Sequence, residues 1–363
     1  MRAQDAVSSW QSDAGMLARA GIHLADVQSY AAEEWGADYT LAMDAQPALM
    51  APVSAGIPGL LTTIVDPRVI SVIFAPTNAE RIYGSVKRGT WLDDTVIFTV
   101  VEHVGEVSSY GDYNQNGNAN INMSFPQRQN YLFQTRKDFG DREIARAGLA
   151  RINLVMQKDL AAADVMNRMS NLIAFYGVSG LQNNGALNDP LLAAPITPAP
   201  KTAGGALWFT AGGAPNATPN EIYNDILTLF TKLVVQTAGA ITGEDQLTLA
   251  LAPSLLPALR FANSFGVTTE KLLKDNYPNI KIESAVQFGL LTTGNPQGVA
   301  AGNLIQLFAR TIQGQEVVTT AYSERMMTFP IVRAESSYSQ KVAGGNWGTV
   351  WFFPMALAQM LGA

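Results

Sequence analysis

Residues 108–122 read SSYGDYNQNGNANIN. Four asparagines and a glycine fall within 114–120, and an insert so rich in turn formers cannot fill a core. Before it runs DTVIFTVVEHVGEV (94–107), where Val96, Phe98 and Val100 alternate as in a strand. After it, NMSFPQRQNYLFQTRKDFG (122–140) reads as a return strand, with Phe125, Tyr131 and Phe133 as its bulky residues. Residues 91–138 therefore read as one long hairpin, with Asn116-Gly117 as its turn dipeptide.

Downstream, DREIARAG (141–148) reads as a short helix closed by Gly148. Leu149, Ile152, Met156, Leu160, Ala163, Met166, Ser170 and Ile173 then recur at helical steps. They predict a helix over 149–176, about 40 Å long at about 1.5 Å per residue, with Gly177 as its cap. Its outer side is expected to carry Arg151, Lys158, Asp159 and Arg168.

LLAAPITPAPKTAGGA (191–206) reads as a loop. Thr218, Pro219 and Glu221 then form a capping-box signature before EIYNDILTLFTKLVVQT. QLTLALAP (strand), SLLPALRFA (helix), TTEKLLKDNYPN (helix), IKIESAV (strand) and NLIQLFART (strand) follow, an alternation that argues for a compact α/β unit. The C-terminal stretch is strand-like, with a turn expected at Gly344-Gly345.

Upstream, DPRVISVIFAPTNAERIYG (66–84) has Asp66 as an N-cap and Pro67 at the first helical position. Val69, Val72, Ile73, Ala79 and Ile82 suggest a helical stripe, which Pro76 should break or kink and Gly84 should stop. Residues 1–65 carry seven acids against Arg2 and Arg19, yet also Trp10, Leu17, Ile22, Tyr30, Trp35 and Tyr39. A disordered tail is seldom so rich in large apolar anchors, so an arm that docks on something is expected.

Composition narrows the function. Of 363 residues 47% are apolar and only 15% charged, which fits surface buried in an assembly. The net charge is −6 with no Lys/Arg-rich segment, so a direct grip on DNA phosphates is not expected. No cysteine is present, which excludes disulfides, thiolate catalysis and Cys-based metal sites. The N-terminus lacks the apolar core of a signal peptide, and no apolar run is long enough for a bilayer span; a soluble cytoplasmic product without a membrane partner is expected.

Chemistry is hard to find. His23 and His103 are the two histidines, and Glu102 and His103 should point to opposite faces of a strand. GSVKRGT (84–90) has the glycine spacing of a phosphate loop but lacks the lysine after the second glycine. No catalytic residue, cofactor or metal site is expected. Asp93, Asp94, Glu102, Glu106 and Asp112 make the outgoing half of the hairpin acidic, while Arg128, Arg136 and Lys137 make the return half basic. The two halves could pair with each other, or complement a neighbouring subunit.

The segments VVEHVGEVSSYGDYNQNG, FPQRQNYLFQT, FGDREIARAGLARINL, FYGVSGLQNNGALNDP, LTLALAP, FANSFGVT, LKDNYPNIKIE and ESSYSQK, in this order, resemble the major capsid proteins of tailed double-stranded-DNA bacteriophages, and in particular a family of phage coat proteins named only for an uncharacterised domain. The resemblance extends from about residue 60 to the end. It implies an α+β fold of the Hong-Kong-97 type. Residues 1–65 would be the N-terminal arm, 66–90 and 139–190 peripheral domain with a spine helix over 149–176, and 91–138 the extended loop. Residues 191–311 would be the axial domain, 312–343 further peripheral strands, and 344–363 the final axial segment.

The function implied is a structural subunit, not an enzyme. It would self-assemble as homo-pentamers and homo-hexamers into an icosahedral shell, enclosing double-stranded DNA without sequence-specific binding. Portal and scaffolding proteins are the expected partners, and a decoration or cement protein a further one. Contacts between subunits are expected from Tyr110, Asp112, Tyr113, Asn114, Asn116, Asn118 and Arg128 of the loop and from Trp10, Tyr30, Trp35 and Tyr39 of the arm. Some shells of this fold are stapled by Lys–Asn isopeptide bonds from the loop. No lysine lies between Trp91 and Arg136 here, so a non-crosslinked shell is expected. The arm is too short for a coiled-coil scaffolding domain, so a separate scaffold or none is expected, with the arm retained. Two other readings are an encapsulin-like bacterial compartment shell and, more distantly, an α/β enzyme with a site in 220–310.

Overall fold

The computed structural model describes residues 76–149, 153–210 and 212–363. The expected arm with Trp10, Tyr30, Trp35 and Tyr39, the Asp66-Pro67 helix start and Arg151 lie outside the described residues.

Helix α1 (Ala79–Tyr83) begins after Pro76, and the part of the expected stripe before Pro76 lies outside the described residues. Gly84 closes it at φ 79°, a left-handed value that suits glycine. A helix this short is not stable alone. It is held by burial of Ile82 and Tyr83 and by the Ala79 N–H, which donates to Asn171 Oδ1 at 3.0 Å. Strand β1 (Ser85–Lys87) follows.

Four short strands then project: β2 (Thr95–Ile97), β3 (Val100–Glu106), β4 (Asn118–Ser124) and β5 (Gln127–Gln129). Strand β6 (Tyr131–Gly140) leads back into the body and on to α2 (Asp141–Leu149). The long helix α3 (Leu154–Tyr176) starts at an Asn153 cap whose side chain accepts the Met156 N–H, and ends at Gly177. At about 1.5 Å per residue its 23 residues span about 35 Å. Leu149, expected to open the long helix, instead closes α2.

The faces of α3 also depart from expectation. Its second half buries Met166, Ile173, Ala174 and Phe175 against the body. In its first half Lys158 turns toward the body and is part-buried, while Asp159 is exposed as expected though ion-paired. Lys158 bonds the Asp138 carbonyl and the Glu143 carboxylate and sits over the Phe139 ring, and Asp159 pairs with Lys137. Met156 and Leu160 face outward, about half exposed. The apolar stripe therefore runs out of the core along the helix.

Helix α4 (Pro219–Gln236) buries Ile222, Ile226, Leu229 and Leu233. It opens with the capping box read from the sequence: Thr218 accepts the Glu221 N–H, and Glu221 accepts the Thr218 N–H at 2.7 Å. Glu221 also accepts from the Thr202 hydroxyl and N–H, both at 2.7 Å. These bonds, that from the Thr202 hydroxyl first, hold its carboxylate at a pKa of about 2. A depressed pKa stabilises the fold above the unfolded value and loses that effect as the folded group protonates. Glu221→Ala should thus lower the melting temperature at neutral pH, and the gap to the parent should close as pH falls from 4.5 toward about 2. A gap that stays constant through this window would show that the carboxylate charge is not what the bonds require.

Strand β7 (Leu247–Leu251) is wholly buried. The SLLPALRFA stretch, expected as an α-helix, is a 3₁₀ helix over Pro253–Arg260, since Pro257 supplies no N–H for an α-helical bond. Helix α5 (Thr269–Asn276), β8 (Lys281–Ser284) and β9 (Leu304–Ala309) complete the unit, followed by a small hairpin, β10 (Thr311–Ile312) with β11 (Gln315–Glu316). The last strands are β12 (Val318–Thr328), β13 (Val332–Arg333), β14 (Ser337–Trp351) and β15 (Leu357–Leu361).

Two sheets organise the body. One has the order β15-β9-β7-β8, with β8 parallel to β7 and the other pairs antiparallel. The other runs β1-β12-β14-β13, with β6 also pairing along β14. Tyr83 lies between them, ringed by Phe175, Phe308 and Trp351, and its hydroxyl donates to Gln306 Oε1 at 2.7 Å. Near α4, the 191–206 loop is pinned by a buried ion pair between Lys201 and Asp225, and Asp225 also accepts the Trp208 indole N–H at 2.7 Å.

Gly344-Gly345 is not a turn. Both glycines lie inside the 15-residue strand β14. A Cβ on Gly345 would come within 2.2 Å of Ser323 Oγ, and one on Gly344 within 2.9 Å of Met166 Cε and of the Arg325 carbonyl. The pair lets α3 and β12 approach the strand closely, beside the register shift at Tyr322–Glu324.

Candidate assembly surfaces

The projecting segment is a ribbon in two parts. Strand β2 pairs with β5 (Thr95↔Gln129 to Ile97↔Gln127), and β3 with β4 (Val100↔Ser124 to Glu106↔Asn118). The single outgoing strand expected from the sequence is broken at Phe98, which turns inward to pack on Phe352 with ring centroids 5.6 Å apart. Opposite the break sits Pro126, which has no N–H for the ladder. The expected return strand divides too, because Tyr131–Gly140 leaves the ribbon and pairs with Ser337–Asn346 of β14.

Register fixes the ribbon's two faces. Val101 lies opposite Met123, His103 opposite Ile121, and Gly105 opposite Ala119. On the other face Val100 meets Ser124, Glu102 meets Asn122, Val104 meets Asn120 and Glu106 meets Asn118. Side chains alternate along a strand, so the first face is apolar apart from His103 and the second is mostly polar. Glu102 and His103 do fall on opposite faces. Val101, Ile121 and Met123 are about half exposed, so nothing among the described residues fully covers the apolar face.

The tip is an eleven-residue loop over 107–117, not a two-residue turn at Asn116-Gly117. It is tied to itself. The Ser108 hydroxyl donates to the Asn116 carbonyl at 2.6 Å, and Asn114 Nδ2 donates to the Ser109 carbonyl at 2.7 Å. The Asn116 N–H reaches Asn114 Oδ1 at 2.9 Å, and the Tyr110 hydroxyl reaches Asp112 at 3.0 Å. Tyr110 and Tyr113 stand 92% and 99% exposed. The expected contact residues Tyr110, Asp112, Tyr113, Asn114, Asn116 and Asn118 are thus brought together at one end of the ribbon.

Arg128 is not with them. It is buried at the ribbon's base in an ion pair with Asp189, so its charge is satisfied internally. Lys137 binds Asp159 and Arg136 binds Asp138. Among the described residues, none of the three basic groups pairs with an acid across the ribbon. The base is further held by Asn183, whose Nδ2 lies within 3.0 Å of the Gln129 carbonyl and 2.8 Å of the Asn346 carbonyl. Sequence reasoning misses Asn183 and Asp189. Their only signal is the run of polar residues in LQNNGALNDP, right after the long helix.

Among the described residues no cluster of His, Asp or Glu is arranged to hold a metal ion, and no helix is long and apolar enough to cross a membrane. The buried carboxylates of the 220–310 unit, Asp225 and Glu283, are both ion-paired.

A family model described as Pa193 gp26 major capsid protein matches residues 48–362. The structure is similar to the capsid of Myoviridae phage XM1, with TM-score 0.64 and 15% identity over 85% of this protein and 99% of that one. It is similar to a structure described as Mycobacterium phage Ogopogo, with TM-score 0.52 and 10% identity over 87% and 100%. It is also similar to the capsid of the cyanophage P-SCSP1u, with TM-score 0.50 and 11% identity over 88% and 94%. No curated protein matches.

Proposed function

We infer function from descent: the protein belongs to the Pa193 gp26 major capsid protein family, and it is a head-shell protein of a tailed phage with the α+β, Hong-Kong-97-type fold. The match over 48–362 is the observation that carries this. It favours a phage head over a bacterial compartment shell.

We propose that copies assemble as pentamers and hexamers through surfaces the single subunit leaves apolar. The ribbon's Val101, Ile121 and Met123 face has no full cover of its own, and Met156 and Leu160 on the first half of α3 turn outward. Docking one on the other in a neighbouring copy would remove both from water. Each large aliphatic side chain fully buried contributes about 1.5–3 kcal/mol, and closed rings sum many such modest contacts. The tip, with Tyr110 and Tyr113, would reach beyond that contact, and the arm with Trp10, Tyr30, Trp35 and Tyr39 would add its own. The shell would enclose double-stranded DNA without reading its sequence, in keeping with the net charge of −6. A portal, a scaffold and a decoration protein are further proposed partners, and synthesis in the host cytoplasm is part of the same reading.

Negative-stain electron microscopy of the expressed protein, with and without neighbouring phage structural genes, tests it. Ring-shaped capsomers or closed shells are expected. A monodisperse monomer under every condition would overturn the assembly reading.

A further inference from the structure

We propose that Asn116 is a site of spontaneous deamidation promoted by Ser108, through which the ribbon tip acquires a negative charge as the protein ages. The sequence holds two Asn-Gly pairs, Asn116-Gly117 and Asn184-Gly185, and the structure treats them oppositely.

The reaction begins when the Gly117 backbone nitrogen gives up its proton to solvent base and attacks Cγ of Asn116. A new C–N bond closes a five-membered succinimide, and the Cγ–Nδ2 bond breaks to release ammonia. Water then adds across one of the two ring carbonyls and reopens the ring, leaving either aspartate or its isomer with the backbone routed through the side chain. The net exchange is amide plus water to carboxylate plus ammonium, with no oxidant or reductant.

The slow requirement is a deprotonated peptide nitrogen, whose charge is shared with the Asn116 carbonyl oxygen. That oxygen accepts the Ser108 hydroxyl at 2.6 Å. The donor is thus aimed where negative charge develops, and a charged acceptor strengthens the bond. The Asn116 N–H is fixed by Asn114 Oδ1 at 2.9 Å, and Asn114 by the Ser109 carbonyl at 2.7 Å, so the segment is already ordered. Among the described residues, neither the Asn116 side-chain amide nor the Gly117 N–H has a hydrogen-bond partner to give up. Gly117 also lacks a side chain to crowd the attack.

At Asn184-Gly185 the same chemistry is blocked. The Gly185 N–H donates to Asn188 Oδ1 at 2.7 Å, a bond that must be given up before its nitrogen can attack. A Cβ on Gly185 would lie 2.3 Å from the Phe175 backbone, so there is no room for the peptide to swing into attack. The second pair is an internal control.

The test is peptide mapping by mass spectrometry of the full-length protein, kept as dissociated subunits at mildly alkaline pH and sampled over days. Asn116 should convert to a mixture of aspartate and isoaspartate while Asn184 stays intact. Ser108→Ala should slow conversion at Asn116 about threefold to tenfold, the rate counterpart of one net hydrogen bond, and Ser108→Thr should restore it. An Asn116 that remains amidated, or one that converts at the parent rate in Ser108→Ala, overturns the proposal.

Discussion

Replacing Val101 and Ile121 together by glutamate should abolish assembled particles and leave a folded subunit. Both residues sit on the apolar face of the ribbon and are about half exposed in the single subunit, so the fold does not depend on them. Surface changes of this kind usually alter stability by less than about 0.5 kcal/mol. In a dry contact the same carboxylates would be buried without partners, which costs about 3–5 kcal/mol for each broken or unpaired charge. The control is Asn120→Glu with Ser124→Glu, which puts the same charge on the exposed polar face opposite Val104 and Val100, with no acid directly across the ladder. Electron microscopy should show particles from the control and none from the first variant, with equal melting temperatures. Parent-level particle yield from Val101→Glu/Ile121→Glu would sink the docking face, while leaving the family assignment untouched.

The largest effect on folding should come from Asp225→Ala. It strips the buried Lys201 of its counter-charge and the Trp208 indole of its acceptor. Leaving one buried charge unpaired costs about 3–5 kcal/mol. The variant should therefore unfold at markedly lower denaturant than the parent. Removing both charges while keeping an acceptor, in Lys201→Met with Asp225→Asn, should recover most of the loss. If the single variant is as stable as the parent, the pair is not what pins the 191–206 loop to α4.

Much of this architecture is legible in the residues themselves. The capping box at Thr218–Glu221, the α4 stripe and the strands around β7 follow from spacing alone. The projecting ribbon follows from a polar insert between two apolar runs. What stays hidden depends on contacts between distant residues. Glycines 344 and 345 resemble a turn unless one knows that Met166 and Ser323 press on them. Residues 131–140 look like a return strand unless one knows that β14 offers a longer partner. Arg128 looks like a surface cation because Asp189, its partner, is far along the sequence. The outward stripe of α3 is plainly apolar, but periodicity says which residues share a face and not what that face meets. The eleven-residue tip is shortened for a related reason, because Asn-Gly suggests a tight turn while Ser108 and Asn114 build a wider one.

The ladder between β6 and β14 has a mechanical meaning. The ribbon's return limb enters the body directly through Tyr131, and the ten residues Tyr131–Gly140 run antiparallel to Asn346 back to Ser337. A neighbour tugging outward on the ribbon pulls along that strand, so the ladder's hydrogen bonds share the load at once instead of parting one after another. A head inflating around its contents stretches its subunits in the plane of the wall. If the ribbon grips a neighbour as proposed, it is sewn in lengthwise, the direction in which a β-ladder is hardest to rip.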